Sequence, residues 1–561
     1  MRVALAVIVV ALAAACGPPH TIGAQPSWRG GSASTSPPAV ALAPVTFAPA
    51  NDAVRSYNEP LAAPPKSSLG DAMMAALRTA ASQAHVPTPV ADARLYRACS
   101  ELAQIVPEEG VVSYAFVEFA LQRNGIIEPS PHLLVVWGDV DAPKDIVAQL
   151  APRMAEILGD GATARVGIGA VKRNPDGTGA IVFALQGSGV TTSPIPRALP
   201  KAGSVTIDAV VESRFKDPEV FVTRDDGTTE RLALALGRSG GFKATVACGA
   251  HVGRQEVEIS AADTAGSTVL ANFPVWCGSE PPASLTVAPT IDDRDVTSTT
   301  AAEKRLFELA NHDRVAAGLP SLQWDERVAV VARAHSEDMR ATKVVAHVSP
   351  TTGSAADRVR AANIKTAVVL ENVARAYGVG EAHTGLMNSP GHRANLMSSA
   401  ATHVGMGVVL GDEISGRREL FITQVFIRVP PKIDPNVVAE LVRARIANVR
   451  TIAIDPRLGA TAKKLAAGLA AGKPRDALWP DAKKELDGLG MDYGRVGSVI
   501  TAVAETDSID GAALVGDYKP DAVGIGVAQG VHPEIGDNAI WVVVLLAERL
   551  ATTSPAPPKP K

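Results

Sequence analysis

Two histidines and one glutamate stand at loop-like breaks in the chain. They are His347 in Ala-His-Val-Ser-Pro, Glu371 in Leu-Glu-Asn-Val-Ala, and His392 in Asn-Ser-Pro-Gly-His-Arg-Ala-Asn-Leu. Neutral imidazoles and a carboxylate converging on a cleft can hold zinc or another divalent cation, with His347 and His392 as the nitrogen ligands. The same groups can form a hydrogen-bonded acid and base set. Acyl transfer would also need a nucleophile. Ser349 and Ser389 are candidates only by proximity in sequence, so no triad geometry is specified and no catalytic residue is secured. The structural alternative is that the three side chains tie loops together through buried hydrogen bonds, with Asn372, Arg393 and Asn395 as braces. Glu381 and His403 are further candidates for the same cleft. His335 lies at helical spacing from Val328, Val331, Ala332 and Met339 and reads as a core residue. His312 and His383 read as solvated.

The elements that must position these residues carry clear signals. Thr300-Ala-Ala-Glu303 is a capping box that starts a helix through Ala317, stopped by Gly318 and Pro320. Asp325 caps a second helix towards Met339, and Ser354-Ala-Ala-Asp357 begins a short third one. Gly380 to Ser389 suits a fourth, and Pro390 fits the first turn of the next. Val404 to Leu410 and Leu420 to Val425 read as strands.

The ordered set of His347 before Ser-Pro, Glu371-Asn372, the Pro390-Gly-His-Arg run, Val404-Gly-Met-Gly-Val and Ile422-Thr-Gln-Val-Phe resembles the CAP superfamily. That superfamily comprises the cysteine-rich secretory, antigen 5 and pathogenesis-related proteins, and the likeness is to its bacterial SCP-like extracellular form. It covers residues 300–429. The resemblance implies an α-β-α sandwich with a cleft lined by His347, Glu371 and His392. There are two departures. Leu370 replaces the glycine of the family's Gly-Glu-Asn, and the fourth, acidic cleft position falls at about Ser389. The family's roles are diverse, so the likeness does not choose between a binding protein, a metal-assisted hydrolase of peptide or cell-wall material, and a non-catalytic scaffold or adhesin. A binding protein for a cation or a small, lipid-like envelope ligand is the first reading, and an enzyme is the less favoured one.

Internal repetition extends the pattern. Asp92-Ala-Arg-Leu, Asp325-Glu-Arg-Val and Asp455-Pro-Arg-Leu each open a helix. Val166-Gly-Ile-Gly, Val404-Gly-Met-Gly and Val523-Gly-Ile-Gly follow each at similar separations, and an apolar strand closes each copy. The expected architecture is α+β and multidomain, with a central CAP domain at 298–430 and two degenerate CAP-like modules at 69–190 and 434–550. Only the central copy keeps the histidines. Between them, 194–287 is a series of short β-rich runs broken by turns such as Asp225-Asp226-Gly227, which suggests an immunoglobulin-like sandwich.

The ends concern location. Arg2 and the apolar run Val3 to Ala15 are too short to span a bilayer, for which roughly 20 residues are needed, and read as a signal peptide, 1–15. Cys16 follows directly and reads as a lipidation site. The expectation is export with a lipid anchor in the cell envelope, at the outer membrane if the host has one, and plain secretion is the alternative. Residues 16–68 read as a disordered tether and 551–561 as a disordered tail. In an oxidising compartment Cys248 and Cys277 are expected to pair, leaving Cys99 as a buried thiol. The net charge of −4 gives no nucleic-acid footprint. The expected partners are the membrane, through the lipid, and an envelope component or small ligand.

Overall fold

The structure is a computed structural model describing residues 15–16, 22–24, 44–107, 112–129, 131–159, 163–287, 298–414, 417–488 and 492–549. Most of the expected signal peptide and the whole C-terminal tail lie outside these residues.

The central domain runs α1 (Thr299–Ala316), β1 (Gln323–Trp324), α2 (Glu326–Thr342), α3 (Ala355–Ala361), β2 (Val369–Ala376), α4 (Val379–Asn388), α5 (Pro390–Leu396), β3 (His403–Ile414) and β4 (Arg417–Ile427). Its sheet has the order β2-β4-β3-β1, with β1 parallel to β3 and the other pairs antiparallel. Ala15–Cys16 runs parallel beside Val373–Ala374 at the outer edge of β2. Strand alternation sends Met406 and Phe426 into one core with Leu306 of α1, Leu386 of α4 and Leu396 of α5. Val425 and Ile427 pack on the opposite side with Val328 and Ala332 of α2 and Val359 of α3. The α-β-α layering follows from these two apolar faces.

Two further sheets have the same order and the same parallel short edge. One runs 132–139, 178–187, 163–172, 90–91, with 22–24 parallel outside 132–139, and the other 493–503, 536–549, 522–532, 453–454. In all three, an aspartate caps the helix that follows the short strand, and an arginine two residues on pairs with it: Arg94 with Asp92 at 2.7 Å, Arg327 with Asp325 and Arg457 with Asp455 at 2.8 Å. The Gly-x-Gly pair then lies flush against that helix. A Cβ on Gly407 would come 2.2 Å from Arg333 N, one on Gly169 2.2 Å from Cys99 C, and one on Gly526 2.1 Å from Ala462 C. The glycines are required because backbone meets backbone at this crossing.

Residues 190–277 form two sheets around one core. One has the order 198–199, 266–277, 253–263, 216–223, 229–231, and the other 234–236, 241–247, 204–211, 190–192. Cys248 and Cys277 are joined, with Cα atoms 5.6 Å apart. Cys99 is a buried free thiol whose pKa burial pushes up.

The expectation of a tether over 16–68 fails at Cys16, beside Ala374, at Ile22–Ala24, which runs parallel beside Leu134–Val136, and from residue 44 onward. Val45–Phe47 pairs with Leu285–Val287, and Phe47 is buried edge-on against Phe116 and Phe119. Tyr57 is buried in the sandwich core and donates to Pro274 O at 2.7 Å. Two aromatics in a Pro-rich stretch are enough to fasten it, because each buries a large apolar area.

Candidate functional site

The cleft residues sit around β2, the outermost long strand of the central sheet. Glu371 and Asn372 are consecutive on β2, so their side chains point to opposite faces. His347 lies in the loop after α2, and His392 is the third residue of α5. All three are buried: His347 is 5% exposed, Glu371 3% and His392 0%.

His347 and Glu371 touch. The imidazole Nδ1 donates to Glu371 Oε1 at 2.8 Å, and the other oxygen of Glu371 accepts from Arg358 of α3. Burial pushes the Glu371 carboxyl up. The hydrogen bond from His347 and the charge of Arg358 outweigh that and hold it below the usual carboxylate range. Arg358 also donates to His347 O at 3.1 Å and Gly353 O at 2.6 Å, so one guanidinium fixes both the acid and the loop that carries the histidine. His335, in the core as expected, supports the same loop from below, with Nε2 2.8 Å from Ala346 O.

His392 joins this group through the backbone. Asn372 donates to His392 O at 3.2 Å, and Asn395 donates to Glu371 O and Asn372 Oδ1, each at 3.0 Å. The His392 ring turns elsewhere. Its Nδ1 lies 2.7 Å from Ser389 Oγ, and Ser389 in turn donates to Glu258 Oε2. Glu258 belongs to the sandwich, is 1% exposed, and also accepts from Gly391 N at 3.1 Å. Burial pushes its carboxyl up to about 7.

The sandwich covers the site at three more points. Ala265 O accepts from His347 N at 3.1 Å and Val348 N at 3.0 Å. Arg393 Nε donates to Gly227 O at 3.2 Å. Asn272 donates to Asn388 O at 3.3 Å. Gly266, at φ +106°, lets the hairpin tip close on His347, whose Cβ would sit 2.9 Å from a Cβ added there.

The serines do not fit acyl transfer. Ser349 Oγ accepts from the amides of Thr351 and Thr352 in a tight turn. At Ser389 the order is carboxylate, hydroxyl, imidazole, whereas a triad places the acid on the far side of the imidazole. Nor do the cleft donors gather as a metal would require. Ligands at roughly 2.0–2.3 Å from zinc must lie close to one another. Among the described residues three such atoms come within 4.8 Å of each other at the exposed Asp225, Asp226 and His251 turn, not at His347, Glu371 and His392. His403 faces Thr402 Oγ1 at 3.0 Å, and Glu381 is on α4 beside Arg375 and Tyr114, so neither joins the group. His383 is buried rather than solvated, with Nε2 2.8 Å from Asp313 Oδ2, because α4 packs it onto α1. His312 is exposed.

Sequence reasoning missed Glu258, Arg358 and the Ala265 carbonyl. Arg358 directly follows the Ser354 capping box, which marks the start of a helix and not a role for the arginine. Glu258 and Ala265 lie in another domain, and nothing local marks a strand residue as reaching across.

A family model for the cysteine-rich secretory protein family, CAP, matches residues 307–426. The chain is 42% identical over 110 residues to an uncharacterized membrane protein, YlbC, of Bacillus subtilis (strain 168), covering 19% of this chain and 32% of that one. It is 39% identical over 113 residues to an uncharacterized protein, YkwD, of the same organism, covering 20% and 44%. The chain thus spans less than half the length of these curated relatives. Among solved structures, it is similar to an extracellular SCP-domain protein from Bacillus anthracis str. Ames at 26% identity and TM-score 0.22, covering 32% of this chain and 60% of that one. It is also similar to a cysteine-rich secretory protein from Staphylococcus aureus subsp. aureus Mu50 at 15% identity and TM-score 0.20, covering 49% and 92%. With the α-β-α layers and the His347–Glu371 contact in place, residues 307–426 constitute a CAP domain of the cysteine-rich secretory protein family.

Proposed function

We propose that this chain is an exported, lipid-anchored cell-envelope protein that works as a non-catalytic scaffold, with its CAP cleft closed in cis by the sandwich. The observation that carries the reading is the His392–Ser389–Glu258 connection. It ties a buried sandwich carboxylate to the ring of one of the two cleft histidines, which supports a cleft closed from that side. The two flanking units, which share the strand order, the capped helix and the Gly-x-Gly crossing, are degenerate copies of the CAP domain, and 190–277 is an immunoglobulin-like spacer. Cys16 after the apolar Val3 to Ala15 run supports the anchor. Loss of incorporated palmitate in Cys16→Ala tests the anchor, and undiminished labelling would remove it.

One observation favours a second reading, in which the cleft takes a small or lipid-like envelope ligand once the sandwich moves away. The buried Nε2 of His347 has no hydrogen-bond partner among the described residues, and leaving such a group unmade costs about 1–3 kcal/mol. A polar ligand atom would relieve it. The third possibility, metal-assisted hydrolysis, would take its nucleophile from metal-bound water and lacks, among the described residues, a gathered ligand set at the cleft.

The deciding experiment incubates the full chain and its Glu258→Ala variant with a peptide and muropeptide library, with and without zinc. The scaffold reading expects no turnover and no zinc uptake by the intact chain. Turnover by the intact chain that is lost in Glu371→Ala would overturn it. Ligand binding gained only in Glu258→Ala would select the second reading.

A further inference from the structure

The register of the three sheets identifies which residue of each flanking unit occupies the place of Glu371. In the central sheet Gly405 pairs with Val425 and Val425 with Glu371. The same row reads Gly167, Ala184, Leu133 in the N-terminal unit and Gly524, Leu545, Ser498 in the C-terminal one. Leu133 is fully buried. Ser498 lines a groove of about 920 Å³, which falls in the roughly 300–1,000 Å³ range of small-molecule sites.

The groove exists because this edge strand lacks a cover. Residues 369–376 are buried along most of their length and 133–136 are all buried, whereas 496–503 are only half-buried throughout. Its lining includes the apolar Leu469, Ile500 and Trp541. Three cations line it too: Lys473 and Arg475 come from the loop and helix start after 456–470, with the Arg475 guanidinium 5.3 Å from the Trp479 ring centroid, and Lys365 comes from the central domain. Among the described residues no carboxylate lines the groove, so the charges on its lining are of one sign. Apolar lining with charge of one sign matches a molecule with one long apolar chain and one negative head.

We propose that the C-terminal unit binds a single-chain amphiphile with an anionic head, the chain lying over Ile500 and Trp541 and the head held by Lys365, Lys473 and Arg475. The site is separate from the central cleft and does not depend on how that cleft is read.

Titration calorimetry on the full chain tests it, with dodecyl phosphate and dodecanoate below their micellar concentrations and neutral dodecyl maltoside as the control. The expected result is saturable one-site binding of at least one anion, at least tenfold tighter than the neutral amphiphile. The double variant Lys473→Glu, Arg475→Glu should lose tenfold or more. Ser498→Trp, which fills the groove, should abolish binding while thermal melting confirms a folded chain. A phosphate-over-carboxylate preference would identify a lipid-phosphate source, and the reverse a fatty-acid source; either supports the site. No saturable binding, equal binding of the neutral amphiphile, or full binding by the folded charge-reversal variant would each overturn it.

Discussion

Arg358 is the side chain on which the polar cluster turns. It neutralises Glu371 and holds the His347 loop by two carbonyls. Arg358→Met would leave Glu371 buried without its cation, and breaking a buried pair from one side costs about 3–5 kcal/mol. Chemical denaturation should show that loss, and a change below about 1 kcal/mol would mean the pair is solvated. The second residue-scale prediction concerns Glu258, raised from the ordinary 4.5 to about 7. A raised carboxyl binds its proton more tightly in the docked state than when exposed. Docking is therefore fully favoured below the ordinary value and weakens as pH rises through about 7, by up to roughly 3 kcal/mol. Limited proteolysis between sandwich and CAP domain should be faster near pH 8 than near pH 5, and Glu258→Gln should remove much of the difference. Equal rates at both values would contradict the assignment.

At the scale of elements, the Gly-x-Gly crossing sets how closely helix and sheet approach. Gly407→Val would drive a Cβ into the backbone of α2 near Arg333. Because both partners are main chain, no rotamer change relieves it, and a loss of about 3 kcal/mol or more is expected. A thermal melt unchanged by Gly407→Val would refute the close crossing. This level was the most legible in the sequence. Asp325, the Ser354 capping box, Pro390 and the paired glycines act through local geometry, and local geometry leaves local signatures. The stretch from 44 to 68 is illegible in the sequence for the opposite reason. Its composition is that of a linker, and only the tertiary pockets receiving Phe47 and Tyr57 decide that it is ordered.

At the scale of the molecule, the sandwich is as much a part of the central site as the CAP domain is. His347, Glu371 and His392 were readable as a set because their motifs lie in order, and the direct His347–Glu371 contact follows. The rest depends on a domain interface, and no spacing along the chain encodes that Glu258 and Ala265 arrive from the other side. The three sheets, alike in strand order, then differ at one position of the same strand: Leu133 lies in a packed core, Glu371 is held by His347 and Arg358, and Ser498 lines an open groove.

The most direct test is hydrogen exchange at the amides of His347 and Val348, both of which donate to Ala265 O in the sandwich. In the full chain these two amides should be strongly protected. In Gly266→Val, where the added side chain meets His347, they should exchange like an open loop, while the β2 amides stay protected. If the two amides exchange freely in the unmodified chain, or keep their protection in Gly266→Val, the sandwich does not close the cleft.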